Sequence, residues 1–153
     1  MTRFQYSTLG LDPDKTVKAS LREEDISFKH TREIANHIKG MLVDRAKEYL
    51  EDVVAMKRSV PFKRYNKNVG HRSDLKGWDS GRYPVKAAES VLNLLESLEK
   101  NATNKGLEVD RLLVIHAAAQ RGRKVKRIFS RAHGSTSPKV KTLTHLELVA
   151  EEV

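Results

Sequence analysis

The stretch RLLVIHAAAQRGRKVKRIFSRAHGSTSPKVKTLTHLELV, residues 111–149, decides the fold of this chain. Its two ends, 111–118 and 142–149, are short apolar runs typical of β-strands. Between them, residues 121–141 contain eight Lys or Arg and no Asp or Glu. Strands that follow one another in sequence readily pair antiparallel, so the stretch predicts a β-hairpin. Its connection is far longer than the two residues that a tight turn needs.

This connection predicts a long protruding arm. If the hairpin opens near Ala119 and Leu143, its midpoint is Arg131. Twelve residues at about 3.3 Å each would then carry the tip about 40 Å beyond the sheet. A two-stranded ribbon is marginal in water, so the arm is either disordered when free or held by whatever its charges contact. Only four residues of the connection are apolar and sizeable: Val125, Ile128, Phe129 and Val140.

Three segments have apolar residues at helical spacing. The first begins at Thr31, a suitable N-cap, and ends at Gly40, a residue that readily adopts the left-handed conformation of a helix C-terminus. The second begins at Asp44. The third has the strongest apolar stripe of the chain, begins at Pro84, which suits a first helical turn, and ends at residues 104–106. The sequence therefore predicts three helices between the first strand and the hairpin.

The predicted fold is a single α+β domain over residues 1–153. A first strand at 17–27 has Val17, Ala19 and Leu21 on one side. Together with the two C-terminal strands it predicts a small antiparallel three-stranded sheet packed on the three helices, in the order strand, three helices, two strands. The strand at 111–118 is apolar on both faces and is predicted to be central. The extended β-hairpin is predicted over 114–146, with its tip near 129–136.

Residues 59–84 form an insert without periodicity. The segment has three glycines, two prolines, two tyrosines and the only tryptophan of the chain. A loop of this length inside a compact domain is usually functional or ordered by a partner. A second interpretation is that three aromatic side chains of the insert pack the loop against the helices: Phe62, Trp78 and Tyr83.

The net charge of +9 is concentrated in two segments. Residues 111–146 hold nine basic and no acidic groups, and residues 57–86 hold nine basic and two acidic groups. The rest of the chain is close to neutral or acidic. This segregation indicates a polyanionic partner. The chain has no cysteine, which excludes disulfides and thiolate zinc sites. No apolar run is long enough for a membrane span, and the N-terminus shows no secretory signal, so no membrane insertion is expected.

The residue types of the two basic segments suit RNA. Cations along both limbs of the arm can neutralise phosphates, and Arg131 and His133 at the tip can stack on unpaired bases. The insert interleaves cations with aromatic rings, a combination that favours phosphate contact and base stacking. A disordered basic tail or a nuclear-localisation-like patch is the alternative interpretation. The candidate RNA-binding residues are Arg121, Arg123, Lys124, Lys126, Arg127, Arg131, His133, Lys139 and Lys141 in the arm, with Lys57, Arg58, Lys63, Arg64, Tyr65, Lys67, Arg72 and Arg82 in the insert.

Catalytic and metal-binding patterns are weak. His30 and His37 could share a helix face, but no carboxylate at ligand spacing joins them. The adjacent acids at 23–25 point to opposite faces of a strand, which is poor geometry for acid–base chemistry. No glycine-rich phosphate loop is present. We therefore predict no enzyme activity, no metal and no cofactor. A nuclease or RNA-modifying enzyme would need an acid–base or metal cluster that is not found.

Five separated segments resemble a known family, in order and in spacing: SFKHTREIANHIKGM, VPFKRYN, GHRSDLKGWDSGRYPVKAAE, NLLESLEKNATNKGLEVDRLLVIHAAAQ and RIFSRAHGSTSPK. They are similar to the large-subunit ribosomal protein family numbered twenty-two in the universal naming and seventeen in the eukaryotic one. The resemblance covers about residues 16–151. The GWDSGRYP insert is similar to archaeal and eukaryotic members, and the lysine-rich C-terminal tail of eukaryotic members does not follow. The resemblance is therefore archaeal in type.

This resemblance implies a structural protein of the cytoplasmic ribosome. Its partners would be large-subunit rRNA, neighbouring large-subunit ribosomal proteins and the nascent polypeptide. The globular part would lie near the opening of the exit tunnel, and the hairpin would line the tunnel wall and help to assemble several rRNA domains. Ser135 stands where bacterial members usually have a basic residue. A free-standing RNA-binding or RNA-chaperone module is the alternative function. The implied tunnel-wall residues are Phe129, Ser130, Arg131, Ala132, His133, Gly134, Ser135 and Thr136.

Overall fold

The computed structural model describes residues 5–153 and has the predicted order of one strand, three helices and two strands. Two further strands of two residues each lie inside the insert. The predicted α+β class is confirmed. The elements are β1 Thr16–Glu24, α1 Phe28–Ile38, α2 Val43–Val54, β2 Val60–Pro61, β3 Gly81–Arg82, α3 Val85–Lys105, β4 Leu112–Ser130 and β5 Thr136–Glu152.

The helix boundaries differ from the sequence prediction at the start of α1. Ser27 is the N-cap residue, and Thr31 lies within the helix, fully buried. The Thr31 N–H and hydroxyl both donate to the Ser27 carbonyl, at 2.9 and 3.0 Å. The prediction that Thr31 caps the helix is therefore wrong, because its hydroxyl bonds backwards along the first turn. The predicted end of α3 is confirmed, and Gly106 there adopts the left-handed conformation, with φ of 78°.

The three-stranded sheet is antiparallel in the order β1-β5-β4. Strand β5 is central, so the prediction of a central first hairpin strand is wrong. The free edge of β4 is covered at one point by the α1–α2 connection. There Gly40 donates its N–H to the Val114 carbonyl at 2.8 Å, and Val114 donates to the Met41 carbonyl at 2.9 Å. An edge strand covered in this way needs no charged side chains to protect it.

The core lies between the helices and one face of the sheet. Leu146, Leu148 and Ala150 of β5 pack there against the apolar stripes of the helices. Six of the seven residues on the apolar stripe predicted for α3 are buried, and the seventh, Leu92, is half-buried. Leu94 is buried in addition. Burial of such side chains contributes about 1.5–3 kcal/mol each, which is the main stabilisation of a small domain.

The insert is ordered by its own hydrogen bonds. Strand β2 pairs antiparallel with β3, and an isolated bridge joins His71 to Ser80. The Trp78 indole N–H donates to the Phe62 carbonyl at 3.0 Å, which supports the interpretation that this ring fastens the loop. At Gly81 a Cβ atom would lie 2.8 Å from Leu75 Cδ1 and 2.9 Å from Ser59 Oγ, so a larger residue there would have to displace these side chains. These contacts give the insert a defined shape.

Beyond the pair Glu24↔Thr144, β5 has no neighbour except β4. We call residues 121–144 the hairpin arm. Its strands stay paired from Arg121↔Thr144 to Ser130↔Thr136, with one irregularity in register between Arg121 and Lys124. The arm is thus an extended two-stranded ribbon, as predicted.

Candidate nucleic-acid interface

The hairpin arm carries exposed cations on both of its faces. Because side chains alternate along a strand, Lys124 and Lys126 of β4 lie on one face of the arm. Arg127 lies on the opposite face, together with Lys139 and Lys141 of β5. All five are exposed. Three apolar side chains of the arm are also exposed, namely Ile128 at 76%, Val140 at 51% and Phe129 at 50%. The arm therefore presents charge and some apolar surface on all sides.

Two arm cations are paired with the globular domain. Lys141 donates a short hydrogen bond to the Asp25 carboxylate, and Lys86 contacts the same carboxylate at 3.3 Å. Arg123 Nη2 lies 3.8 Å from Glu23 Oε2. The hydrogen bond from Lys141, with further help from Lys86, holds the pKa of Asp25 below its ordinary value. These contacts fasten the base of the arm to the connection between β1 and α1.

Next to these ion pairs, the backbone at Glu23 and at Gly122 lies close to the His145 side chain. The Glu23 N–H donates to His145 Nδ1 at 3.0 Å, and the Glu23 backbone has a φ of 52°. A Cβ atom at Gly122 would lie 2.9 Å from His145 Nε2, so a larger residue there would displace the imidazole. Gly122 lies in the register irregularity between Arg121 and Lys124. Irregularities of this kind twist a strand pair, so this position sets the direction in which the arm leaves the sheet.

The tip is a closed turn. The Arg131 N–H donates to the Ser135 carbonyl at 2.7 Å, and the Ser135 hydroxyl donates to the Ala132 carbonyl at 2.8 Å. His133 and Gly134 have φ values of 55° and 70°, which reverses the chain in a short span. The Arg131 guanidinium reaches Ser137 Oγ at 3.2 Å and remains exposed. The tip residues predicted from the sequence therefore lie together at the far end of the arm.

Some insert cations are held by the protein and others are free to point outwards. Arg72 lies 4.9 Å from the Tyr83 ring centroid, and Arg82 donates to the Asn68 carbonyl at 3.2 Å. Arg58 lies 3.8 Å from Asp52. The held arginines shape the insert. Four further cations are exposed and have no carboxylate partner among residues 5–153: Lys57, Lys63, Arg64 and Lys67.

The residue that holds the start of the insert was not among the candidates predicted from the sequence. Glu33 of α1 is 1% exposed, and its carboxylate accepts hydrogen bonds from the backbone N–H groups of Lys63 at 3.0 Å and Arg64 at 3.2 Å. Arg32 Nη1 pairs with it at 3.1 Å. A buried carboxylate is stable only when bonded in this way. The only sequence signal was a charged residue beside Ile34 on the apolar stripe.

The two basic segments meet at the start of α1. The Arg121 guanidinium at the base of the arm lies 5.0 Å from the Phe28 ring centroid. Phe28 contacts Tyr65 edge to face at 6.4 Å between centroids. Lys29 and Arg64 lie 5.6 and 5.8 Å from the Tyr65 ring. Arm and insert thus form one continuous cationic and aromatic surface, whereas the tip lies at its remote end.

A second buried carboxylate lies on the far face of the sheet. Ser7 Oγ and Glu147 Oε1 both contact His116 Nε2, at 3.0 and 3.1 Å, and Ser7 also donates directly to Glu147. In a nucleophilic triad the serine and the acid contact opposite ring nitrogens. Here both contact the same one, so the arrangement satisfies Glu147 and does not activate Ser7. Within residues 5–153 no group of His, Asp and Glu could hold a metal ion.

Comparison with known proteins identifies the family. The family model described as Ribosomal protein L22p/L17e matches residues 19–151. The chain belongs to this family. It is 50% identical to the large ribosomal subunit protein uL22 of Cenarchaeum symbiosum (strain A), across 99% of each chain. It is 48% identical to that of Thermofilum pendens (strain DSM 2475 / Hrk 5), across 100% of this chain and 99% of the relative.

Membership of the L22p/L17e family makes the chain a structural constituent of the large ribosomal subunit, and not an enzyme. The resemblance to archaeal members is confirmed. As expected of a ribosomal protein, its place is the ribosome of the cytoplasm. Among residues 5–153 no helix has the length and apolar character that a bilayer crossing requires.

Proposed function

We propose that the chain binds large-subunit rRNA through the hairpin arm and the insert, and contacts several rRNA domains. The globular part lies near the opening of the polypeptide exit tunnel, and the arm lines the tunnel wall. By joining separate rRNA domains the protein aids assembly of the subunit. Family membership and the exposed cationic surface support this proposal.

The main structural support for rRNA binding is a pair of like charges in the arm. Arg127 is the direct cross-strand partner of Lys139. Like charges at facing positions destabilise a strand pair. Among the ion pairs of residues 5–153, only Arg123 and Lys141 of the arm have a carboxylate partner. The remaining cations are exposed and available to an external anion, and the closely spaced phosphates of RNA supply one. Binding of a polyanion to the arm would therefore offset the repulsion between its cations.

The salt dependence of rRNA binding tests this proposal. Replacing Arg123, Lys124, Lys126 and Arg127 together by Gln should lower the slope of log affinity against log salt by about three to four. The measurement uses the full chain and deproteinised large-subunit rRNA. A matched variant replaces four exposed cations outside the interface by Gln and has the same net charge, so its slope should stay near that of the wild type. An equal loss of slope in both variants contradicts the assignment. The matched cations are Lys15, Lys39, Arg45 and Lys100.

The tunnel position needs a separate test. We infer that residues 129–136 face the nascent polypeptide, because the tip is the part of the arm farthest from the globular domain. A photoreactive residue in place of Arg131 should crosslink to the nascent chain in translating ribosomes. The same group in place of Lys100 on α3 should not. Crosslinks to rRNA alone from both positions would reject the nascent-chain contact.

The alternative function is a free-standing RNA-binding or RNA-chaperone module. A ribosomal constituent stays with the large subunit through salt washes that strip loosely bound factors, whereas a chaperone is released. Quantifying the chain in washed large subunits separates the two.

A further inference from the structure

A concave pocket lies between the start of α1 and the insert, next to the point where the two basic segments meet. Its volume is about 390 Å³, within the usual range for small-molecule sites. We call it the insert pocket. Three of its lining residues are ring-bearing: His30, Phe62 and Tyr65. Four are cations: Lys29, Arg64, Lys67 and Arg82. No acidic residue lines it.

The rings of the insert pocket are held in place by the core. Phe62 is buried and lies edge to face against His30, with centroids 5.3 Å apart. Tyr65 is half-buried and rests against Phe28 at 6.4 Å. Because α1 fixes Phe28 and His30, and Glu33 fixes the backbone of the insert nearby, these rings do not have to be ordered when a ligand enters. A pre-organised aromatic surface of this kind suits a planar ligand.

The electrostatics of the insert pocket favour an anionic ligand with a polar planar group. The cations lie around its rings, with Lys29 at 5.6 Å and Arg64 at 5.8 Å from the Tyr65 centroid. Burial, with repulsion from Arg82 and Lys29, holds the pKa of His30 below its ordinary value. At neutral pH His30 is therefore neutral and can both donate and accept a hydrogen bond.

We propose that the insert pocket holds one unstacked nucleotide of the rRNA, with the base against Tyr65 and the phosphate on the surrounding cations. This inference rests on the proposed rRNA-binding function and specifies one contact within it. A base in a continuous duplex is stacked on both faces and cannot enter a concave site, whereas a bulged or loop nucleotide can. An acidic peptide would use the same cations but has no planar group for the aromatic lining.

The test compares full-length Tyr65 variants on deproteinised large-subunit rRNA. Tyr65→Leu keeps an apolar side chain and removes the ring, and Tyr65→Phe keeps the ring. Tyr65→Leu should bind about fivefold to a hundredfold more weakly with an unchanged salt slope, because stacking is not ionic. Tyr65→Phe should bind within about twofold of the wild type, since only the hydroxyl is lost. Chemical probing of the RNA bases should show one unpaired base that the wild type and Tyr65→Phe protect and Tyr65→Leu leaves reactive.

A charge variant provides an independent measurement if Tyr65→Leu fails to fold. Replacing Lys29 and Lys67 by Gln should lower the salt slope by about one to two. The control, Lys100→Gln on α3, should leave the slope unchanged. Because Lys29 and Lys67 are exposed, this double variant preserves the core.

The outcomes separate the two proposals. If the wild type does not bind the rRNA, the proposed function fails and the nucleotide site fails with it. If the wild type binds, and Tyr65→Leu matches it in affinity and in base protection, only the nucleotide site is rejected. Binding of poly-glutamate that is lost in Tyr65→Leu identifies a peptide site and rejects the nucleotide. An unchanged slope in the Lys29 and Lys67 variant also rejects it.

Discussion

Strands β4 and β5 run through two environments within one hydrogen-bonded ladder. At the sheet end Leu112 and Leu148 are fully buried, whereas in the arm Ile128 is 76% exposed. The β4–β5 pairing continues through both halves, but in the sheet half β5 also pairs with β1, whereas in the arm it pairs with β4 alone. The sheet half is stabilised by burial against three helices, which the arm lacks. The pairing of two strands by itself therefore contributes little to the free energy of unfolding.

The two halves of the ladder differ in whether acidic residues contact them. Acidic residues contact the ladder on its sheet side and at the base of the arm, through Glu147, Glu23 and Asp25. Beyond Lys141 the arm has no acid at all. Within the ladder, two cations at the base of the arm therefore have carboxylate partners, and among residues 5–153 those nearer the tip have none.

The largest expected effect is a loss of stability from a substitution in the sheet half of the ladder. Leu112→Ala should lower the free energy of unfolding by about 2–5 kcal/mol, because it leaves a cavity in the core. Ile128→Ala on the same strand should change it by less than about 0.5 kcal/mol, because that side chain is exposed. Urea denaturation monitored by circular dichroism measures both. Similar losses in the two variants would show that the arm packs against the domain.

A somewhat smaller effect is expected at the buried carboxylate of α1. Glu33→Ala should cost about 1–3 kcal/mol, because the N–H groups of Lys63 and Arg64 lose their acceptor. Glu33→Gln keeps one acceptor oxygen and should lose less. The free energy of unfolding and the amide hydrogen exchange of the insert are the measurements. Equal stability of Glu33→Ala and wild type would mean that the insert is held by other contacts.

Deleting most of the arm should have little effect on stability. Removing residues 123–139 takes away no buried apolar side chain and one exposed ion pair, that of Arg123 with Glu23. Such a pair contributes about 0.2–1 kcal/mol. Thermal unfolding of the shortened chain should stay cooperative, while its affinity for rRNA should fall by several orders of magnitude at physiological salt. Loss of cooperative unfolding would assign the arm a role in the fold itself.

The smallest effect concerns pH at the base of the arm. Because the pKa of Asp25 is lower in the folded chain than its ordinary value of 3.8, its contribution is present above pH 3.8 and is lost as the pH falls through the folded pKa. The amide signals of Lys86 and Lys141, whose side chains contact this carboxylate, should therefore shift as the pH falls below 4. Asp25→Asn should remove this shift. A shift that persists in that variant must arise from another group.

Much of the fold could be predicted because it depends on local periodicity. The stripe of α3, the stop at Gly106 and the long hairpin follow from spacing and residue type. The candidate RNA-binding surface was also visible, since eight cations without an acid are a property of the sequence. The N-cap at Ser27 was missed and Thr31 was predicted in its place, because a threonine hydroxyl can bond backwards within a helix as well as cap it.

Sequence alone determined the order of elements and the separation of charge, because both depend on neighbours along the chain. Only the tertiary structure decided which strand is central, which acids are buried and where the basic segments meet. Those outcomes depend on groups far apart in sequence, such as Asp25 and Lys141, separated by 116 residues, and Ser7 and Glu147, separated by 140. Desolvation of a carboxylate is set by what packs over it, and local sequence does not record that packing.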